Sequence, residues 1–160
     1  MKEEGILKIL FLLVLGINIE FFINSFLINF YIILPFTFLI FSYFVYKSHA
    51  QFSSSSAFFI GLFVDFVSGT YIGLNPLVFL ITTYIINSYK YVFRLFSYLQ
   101  ISIFFGIIST LYLGLTHLFI NINNYSYLTL LMSFFTNTSL CFIISIFRIY
   151  KPIFSRRRKI

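Results

Sequence analysis

Charged residues are scarce in this chain. Only 9% of its 160 residues are charged, four of them acidic, whereas 60% are hydrophobic. A soluble domain of this size could not cover so much apolar surface with so few polar side chains, so a water-soluble fold is excluded. The lipid bilayer must supply the cover.

Cysteine, histidine and catalytic motifs are also sparse. The single cysteine, Cys141, excludes an internal disulfide, and its apolar surroundings favour a buried small residue. The two histidines, His49 and His117, are predicted on opposite sides of the membrane and so cannot share a site. No metalloprotease, hydrolase or phosphate-binding-loop motif occurs. We therefore expect no enzyme activity, no metal and no cofactor.

Long uncharged stretches are what the chain does contain. Three of them hold 26, 24 and 53 residues: Glu20 to Lys47, Asp65 to Lys90 and Arg94 to Arg148. A membrane-spanning helix needs about 20 apolar residues, so the third stretch accommodates two spans and a turn. The pattern predicts a polytopic membrane protein.

Turn-forming residues divide the chain into predicted spans. There are six of them: about 6–24, 29–46, 54–69, 75–89, 97–119 and 127–147. The first is expected to be retained, because no small-residue cleavage site follows the charged N-terminus. The fourth is expected to begin with Asn75 as N-cap and Pro76 at the first helical position. The predicted fold class is an all-α integral membrane protein, a compact bundle of transmembrane helices forming one domain over residues 1–160.

The basic residues favour one orientation of this bundle. An even number of spans places both termini on one side, and all eleven lysines and arginines fall on that side with them. Because bases collect on the cytoplasmic side, the predicted topology is N-in, C-in. The basic tail, residues 148–160, is expected to fix topology and attract anionic lipid. It lacks the folded basic face and stacking groups that nucleic-acid binding requires.

Small and polar residues recur every four positions along most predicted spans. The sixth span, for example, carries Ser133, Asn137 and Cys141. Such spacing lets helix backbones approach closely and lets polar side chains hydrogen-bond between helices. The second span has the fewest of these residues and the most Phe and Ile. We therefore predict that it is the span most exposed to lipid, or that it lies against a partner's helix.

Three ionisable residues, Glu20, Asp65 and His117, are each predicted about one turn from the outer end of a span. Since a charge inside the bilayer costs about 2.5–3.5 kcal/mol on insertion scales, each needs a partner or a purpose. Together they could form an outer polar cluster that relays protons or cations, or each could reach hydrated lipid headgroups. Asp65 could instead be an anchor that ties its span to the outer turn or to a neighbouring helix, with Gly61 permitting the close approach.

The stretch AFFIGLFVDFVSGTYIGLNPLVFLITTY, Ala57 to Tyr84, resembles the bacterial rod shape-determining protein MreD family. That family shows a Gly, an Asp four residues later, a Ser-Gly pair, a Gly-Leu-Asn turn and a Tyr closing the next span. The matching positions are Gly61, Asp65, Ser68, Gly69, Gly73, Leu74, Asn75 and Tyr84. The chain departs from the family's basic-Pro-acidic triplet, where it has Leu34-Pro35-Phe36, and Glu20 stands near the family's usual Gln.

The resemblance implies a non-enzymatic subunit of the bacterial cell-elongation (rod) complex, in the cytoplasmic (inner) membrane, that helps organise lateral peptidoglycan synthesis and cell shape. The partners it implies are MreC, the actin-like MreB (directly or through MreC), the RodA glycosyltransferase and a class B penicillin-binding transpeptidase. The family also resembles the six-helix S components of energy-coupling-factor vitamin transporters. A substrate-binding subunit of a small-solute transporter is therefore the alternative, and it requires a polar cavity open to the outside.

Overall fold

The computed structural model describes residues 3–48, 52–69, 71–93, 95–120 and 126–146. Within these ranges the regular structure is entirely helical, which confirms the predicted all-α class. The helices are α1 (Glu3–Leu27), α2 (Phe36–Lys47), α3 (Ser54–Ser68), α4 (Leu74–Ser88), α5 (Lys90–Phe93), α6 (Tyr98–Ile120) and α7 (Tyr127–Ile146), with a 3₁₀ turn at Ile28–Phe30. The chain divides into two compact units between Asn87 and Ser88.

In the part of the chain that the structure describes, three segments are long and apolar enough to cross a membrane: Lys8–Phe30, Tyr98–Phe119 and Tyr127–Ile144. The apolar helices α2, α3 and α4 are shorter, with 12, 15 and 15 residues. At 1.5 Å per residue they are about 18–23 Å long, less than the hydrocarbon core of about 30 Å. The six spans, their orientation and the single domain therefore stay predictions.

Most predicted span boundaries agree with helices to within a few residues. The exception is the second span, because residues 29–35 form the end of the 3₁₀ turn and an irregular segment before α2 begins at Phe36. Pro35 explains the late start. A proline disfavours helical backbone at the residue before it and has no N–H to donate. The basic tail and His49 lie outside the described residues.

The core of the first unit contains α2. Phe38 and Phe41 are fully buried, and the Phe41 ring stacks on the Phe79 ring of α4 with 3.9 Å between centroids. Lys47 is the one exposed residue of this helix. The prediction of a lipid-facing or partner-facing second span is therefore wrong. In lipid an apolar sequence does not distinguish a buried face from an exposed one, and aromatic rings gain dispersion energy when they pack.

The second unit is built on the packing of α6 against α7. Gly106 of α6 lies against Thr138 of α7, so closely that a Cβ at Gly106 would collide with the Thr138 hydroxyl. Along α7 the polar stripe predicted from the sequence is buried: Ser133 and Asn137 are 0% exposed and Cys141 is 3% exposed. Small residues thus allow close helix contact here, as their spacing indicated.

Candidate functional site

Asp65 lies near the end of α3, and its side chain is 1% exposed. Its Oδ2 accepts a hydrogen bond from the main-chain N–H of Gly73 at 2.7 Å. Its Oδ1 accepts two from Asn75, one from the side-chain amide at 2.7 Å and one from the main-chain N–H at 3.3 Å. The carboxylate therefore binds the start of α4 from the neighbouring helix.

These bonds complete the hydrogen bonding at the N-terminus of α4. The first amides of a helix have no partner within it, and a buried amide without any partner is costly. Asp65 accepts from Gly73 and Asn75, Leu74 donates to a carbonyl of the turn at 3.2 Å, and Pro76 has no N–H. The partial positive charge of a helix N-terminus also favours a carboxylate there. Asp65 thus acts as an N-cap supplied by another helix.

Two glycines give the connecting turn its shape. Gly69 ends α3 with φ +65°, and Gly73 precedes α4 with φ +105°. Both values lie in the left-handed region that side-chain-bearing residues rarely adopt. The turn therefore reverses the chain within a few residues and directs the Gly73 N–H at Asp65.

Gly61 brings the two helices together one turn before Asp65. A Cβ built on Gly61 would lie 2.5 Å from the N and Cα atoms of Pro76 and 2.9 Å from the carbonyl carbon of Asn75. Contacts this short exclude any side chain at this position. The absence of a side chain at Gly61 places α3 close enough for Asp65 to reach the first turn of α4.

The other two residues of the predicted motif, Ser68 and Tyr84, lie at exposed positions of α3 and α4. Ser68 is exposed at the end of α3, and its hydroxyl donates to the Val64 carbonyl at 2.7 Å. Tyr84 is 71% exposed, more than two turns along α4 from Asn75. Asn75 was expected to cap its own helix, but α4 begins one residue earlier and the Asn75 amide donates to Asp65.

Glu20 caps a second helix in the same way. Its Oε2 accepts the main-chain N–H of Thr37, the second residue of α2, at 2.9 Å. One turn further along α1, the Asn24 side chain accepts the Leu34 N–H at 2.9 Å and donates to the Leu34 carbonyl at 3.2 Å. Both carboxylates therefore bind the second residue of the following helix, since Asn75 holds that position in α4. The helical pairs α1–α2 and α3–α4 share one capping arrangement.

A third side chain of the first unit fixes the segment before α3. Asn87, near the end of α4, accepts the Phe52 N–H at 3.3 Å and donates to the Phe52 carbonyl at 2.9 Å. Together with Asn24 it is a residue that sequence reasoning did not assign to a site. The available signal was the same in both cases: an amide within one turn of a helix end, beside a segment with free backbone groups.

The outer cluster of Glu20, Asp65 and His117 stays a prediction, and the structure describes each of the three residues by itself. Glu20 and Asp65 bind the N-termini of two different helices. His117 lies half-buried on α6, in the second unit. Within the described residues, no three His, Cys, Asp or Glu side chains are grouped so as to hold a metal ion. The described geometry of the two carboxylates is that of helix caps.

Replacing Glu20 and Asn24 tests the cap on α2. Glu20→Leu leaves the Thr37 N–H without its acceptor, which should lower the free energy of unfolding by about 1–3 kcal/mol. Glu20→Gln keeps a carbonyl oxygen in place and should lose less. Asn24→Leu removes two hydrogen bonds to Leu34 and should act in the same range. Thermal unfolding of the purified protein in detergent measures each effect. A Glu20→Leu protein as stable as the parent would contradict the cap.

Comparison with protein families identifies a family for this chain. Residues 4–150 match the family described as rod shape-determining protein MreD. Comparison with curated proteins returned no match, and comparison with solved structures returned none either. The match covers nearly the whole chain, including both capped helix pairs and helices α6 and α7. The chain therefore belongs to the rod shape-determining MreD family, and it is a membrane protein of the bacterial cell-shape system.

Proposed function

We propose that this protein is a non-enzymatic subunit of the bacterial cell-elongation complex, which helps organise lateral peptidoglycan synthesis through helix–helix contacts with partner membrane proteins. The observation that carries the proposal is the family match over residues 4–150. The proposed partners are MreC, MreB (directly or through MreC), the RodA glycosyltransferase and a class B penicillin-binding transpeptidase. Anionic lipid is proposed to attract the basic tail.

The polar side chains of the first unit bind main-chain groups, which supports a scaffold role for this protein. In the first unit, Glu20, Asn24, Asp65 and Asn87 all bind main-chain groups at helix junctions. Side chains committed in this way hold the backbone and are not free to bind a solute. We propose that Gly61, Asp65, Ser68, Gly69, Gly73, Asn75 and Tyr84 form a structural and interaction motif, in which five residues build the cap and the exposed Tyr84 can contact a neighbour.

The proposed topology is six spans in the cytoplasmic membrane with both termini inside. Exposed tyrosines support it, because Tyr collects where a span meets the lipid headgroups. Tyr31, Tyr71 and Tyr127, each at least 53% exposed, lie at helix ends that this topology places outside. Tyr89 and Tyr91, 57% and 76% exposed, lie at the end that it places in the cytoplasm.

Affinity purification in mild detergent tests the proposed role. A tagged copy expressed at its native level should recover MreC and, with it, the enzymes of lateral wall synthesis. Recovery of ATPase subunits and an energy-coupling protein in place of MreC would reject the scaffold and favour the transport subunit. Depletion is the matching test in cells. Rod cells should become round or lyse, whereas normal shape with a new vitamin requirement would point to transport.

A further inference from the structure

Helix α1 has two opposite faces. Its buried face carries Ile9 and Leu13, which are 3% and 0% exposed, together with Gly16 against α2. The opposite face follows alternating steps of three and four residues: Phe11, Val14, Asn18, Phe21 and Ser25. These five residues are named the α1 seam. Their mean spacing of 3.5 residues is that of helices that pack along their length in a left-handed pair.

The α1 seam is open to its surroundings. Phe11 is 65% exposed and Phe21 is 82% exposed, Asn18 and Ser25 are exposed, and Val14 is half-buried. Ser25 donates its hydroxyl to the Phe22 carbonyl at 2.7 Å, so its polar atom is already used and it presents a small surface. Along the seam the two large rings, Phe11 and Phe21, are thus separated by smaller side chains, which leave room for a neighbouring helix to approach.

Asn18 is the residue of the α1 seam whose side-chain amide has hydrogen-bonding groups that lipid tails cannot pair. It lies one residue from the centre of the membrane-length segment Lys8–Phe30. One N–H of its amide donates to the Val14 carbonyl at 2.8 Å, and within the described residues the second N–H and Oδ1 have no partner. An amide without hydrogen-bond partners in hydrocarbon is costly, so a group that can donate and accept at this depth is required.

We propose that the α1 seam binds the α1 seam of a second copy of this chain, with the two Asn18 amides hydrogen-bonded across a two-fold axis along the membrane normal. All copies insert in the same orientation, so two α1 helices run parallel and their Asn18 residues lie at the same depth. An amide both donates and accepts, and a symmetric pair therefore satisfies each partner. A single polar residue of this kind also selects a two-stranded pair and fixes its register.

The inference goes beyond the proposed function, because it concerns self-association and requires no elongation partner. Disulfide crosslinking in native membranes tests it. With Cys141→Ala as background, a single Cys is placed in turn at Phe11, Val14, Asn18, Phe21 and Ser25. The matched controls are Leu12, Ile19 and Phe26, which are 39%, 46% and 61% exposed but lie beside the seam. Dimers should form at least about fivefold faster at seam positions, since crosslinking needs close approach.

Equal crosslinking at seam and control positions would overturn the proposal. Seam-specific crosslinks to a different protein would also overturn it, because they would assign the seam to another partner. Expression and detergent monodispersity of each variant verify folding.

Energy transfer between fluorescently labelled copies in lipid vesicles tests Asn18 itself. Asn18→Leu should weaken self-association about three- to twentyfold, the range of single interhelical hydrogen bonds in membranes. Asn18→Gln retains a side-chain amide and should keep most of the self-association. Ile19→Ala, beside the seam, is the matched control and should leave it unchanged. Undiminished association of Asn18→Leu would refute the amide pair.

Discussion

Asp65→Leu should be the most damaging single change in this protein. It removes the acceptor of the Gly73 and Asn75 main-chain amides and of the Asn75 side chain, in a site that is 1% exposed. Each buried donor left without an acceptor costs about 1–3 kcal/mol. The two Asn75 donors are buried, and the Gly73 N–H is part-buried. We expect stability to fall by at least about 3 kcal/mol and the folded protein to be largely lost from membranes. Thermal unfolding in detergent and the amount of folded protein in cells measure this.

Asp65→Asn separates hydrogen bonding from charge. Its side-chain carbonyl oxygen can still accept a hydrogen bond. Its NH₂ group, however, is a donor that faces the N–H donors of α4, so the bonds made by the second carboxylate oxygen are lost. We expect the stability of Asp65→Asn to lie between that of the parent and that of Asp65→Leu. It stays below the parent partly because the carboxylate's favourable interaction with the helix N-terminus is lost. Val67→Ala is the matched control, two residues away on α3 and 44% exposed. Asp65→Leu behaving like Val67→Ala would refute the cap.

The turn between α3 and α4 is where sequence reasoning was most accurate. The Gly-rich segment between two apolar runs placed both helix ends within one residue, because Gly69 and Gly73 act through local backbone conformation. For Asp65 the sequence alone allows several roles. Its partner Gly73 is eight residues away, and only the helix crossing at Gly61 brings the two into contact. Local chemistry is readable from sequence, whereas the choice between tertiary partners is not.

The start of α2 is where the sequence predicted the structure least well. A continuous apolar run conceals that residues 31–35 are not helical, and the position of Asn24 near a helix end does not by itself identify Leu34 as its partner. The burial of α2 is likewise not visible in its sequence, because lipid and protein interior are both apolar. In a soluble protein, the polar face of an amphipathic helix identifies the exposed side. In a membrane protein, which face of an apolar helix is buried depends on how its side chains fit against the neighbouring helix. The stacked rings of Phe41 and Phe79 are an example.

Gly61→Ala should have the second largest effect, and it acts on the same cap by a steric route. The new methyl group would lie 2.5 Å from the N and Cα atoms of Pro76, which are backbone atoms that cannot rotate away. Helices α3 and α4 must then separate, which lengthens the hydrogen bonds from α4 to Asp65. We expect destabilisation of about 3 kcal/mol, the upper end of the range for overpacking. Detergent unfolding measures it.

Gly106→Ala in the second unit provides a matched contrast, because its methyl group would collide chiefly with the hydroxyl of Thr138, whereas the nearest backbone atom, the Thr138 Cα, would lie 3.3 Å away. Thr138→Ala removes the colliding hydroxyl, so the double variant should recover much of the stability that Gly106→Ala loses. No side-chain substitution in α4 offers the same relief to Gly61→Ala, since the obstacle is the main chain at Asn75 and Pro76. A Gly61→Ala protein as stable as the Gly106→Ala, Thr138→Ala double variant would contradict this argument. It would mean that α3 need not lie against the backbone of α4, and that the cap formed by Asp65 tolerates a wider helix separation than the structure indicates.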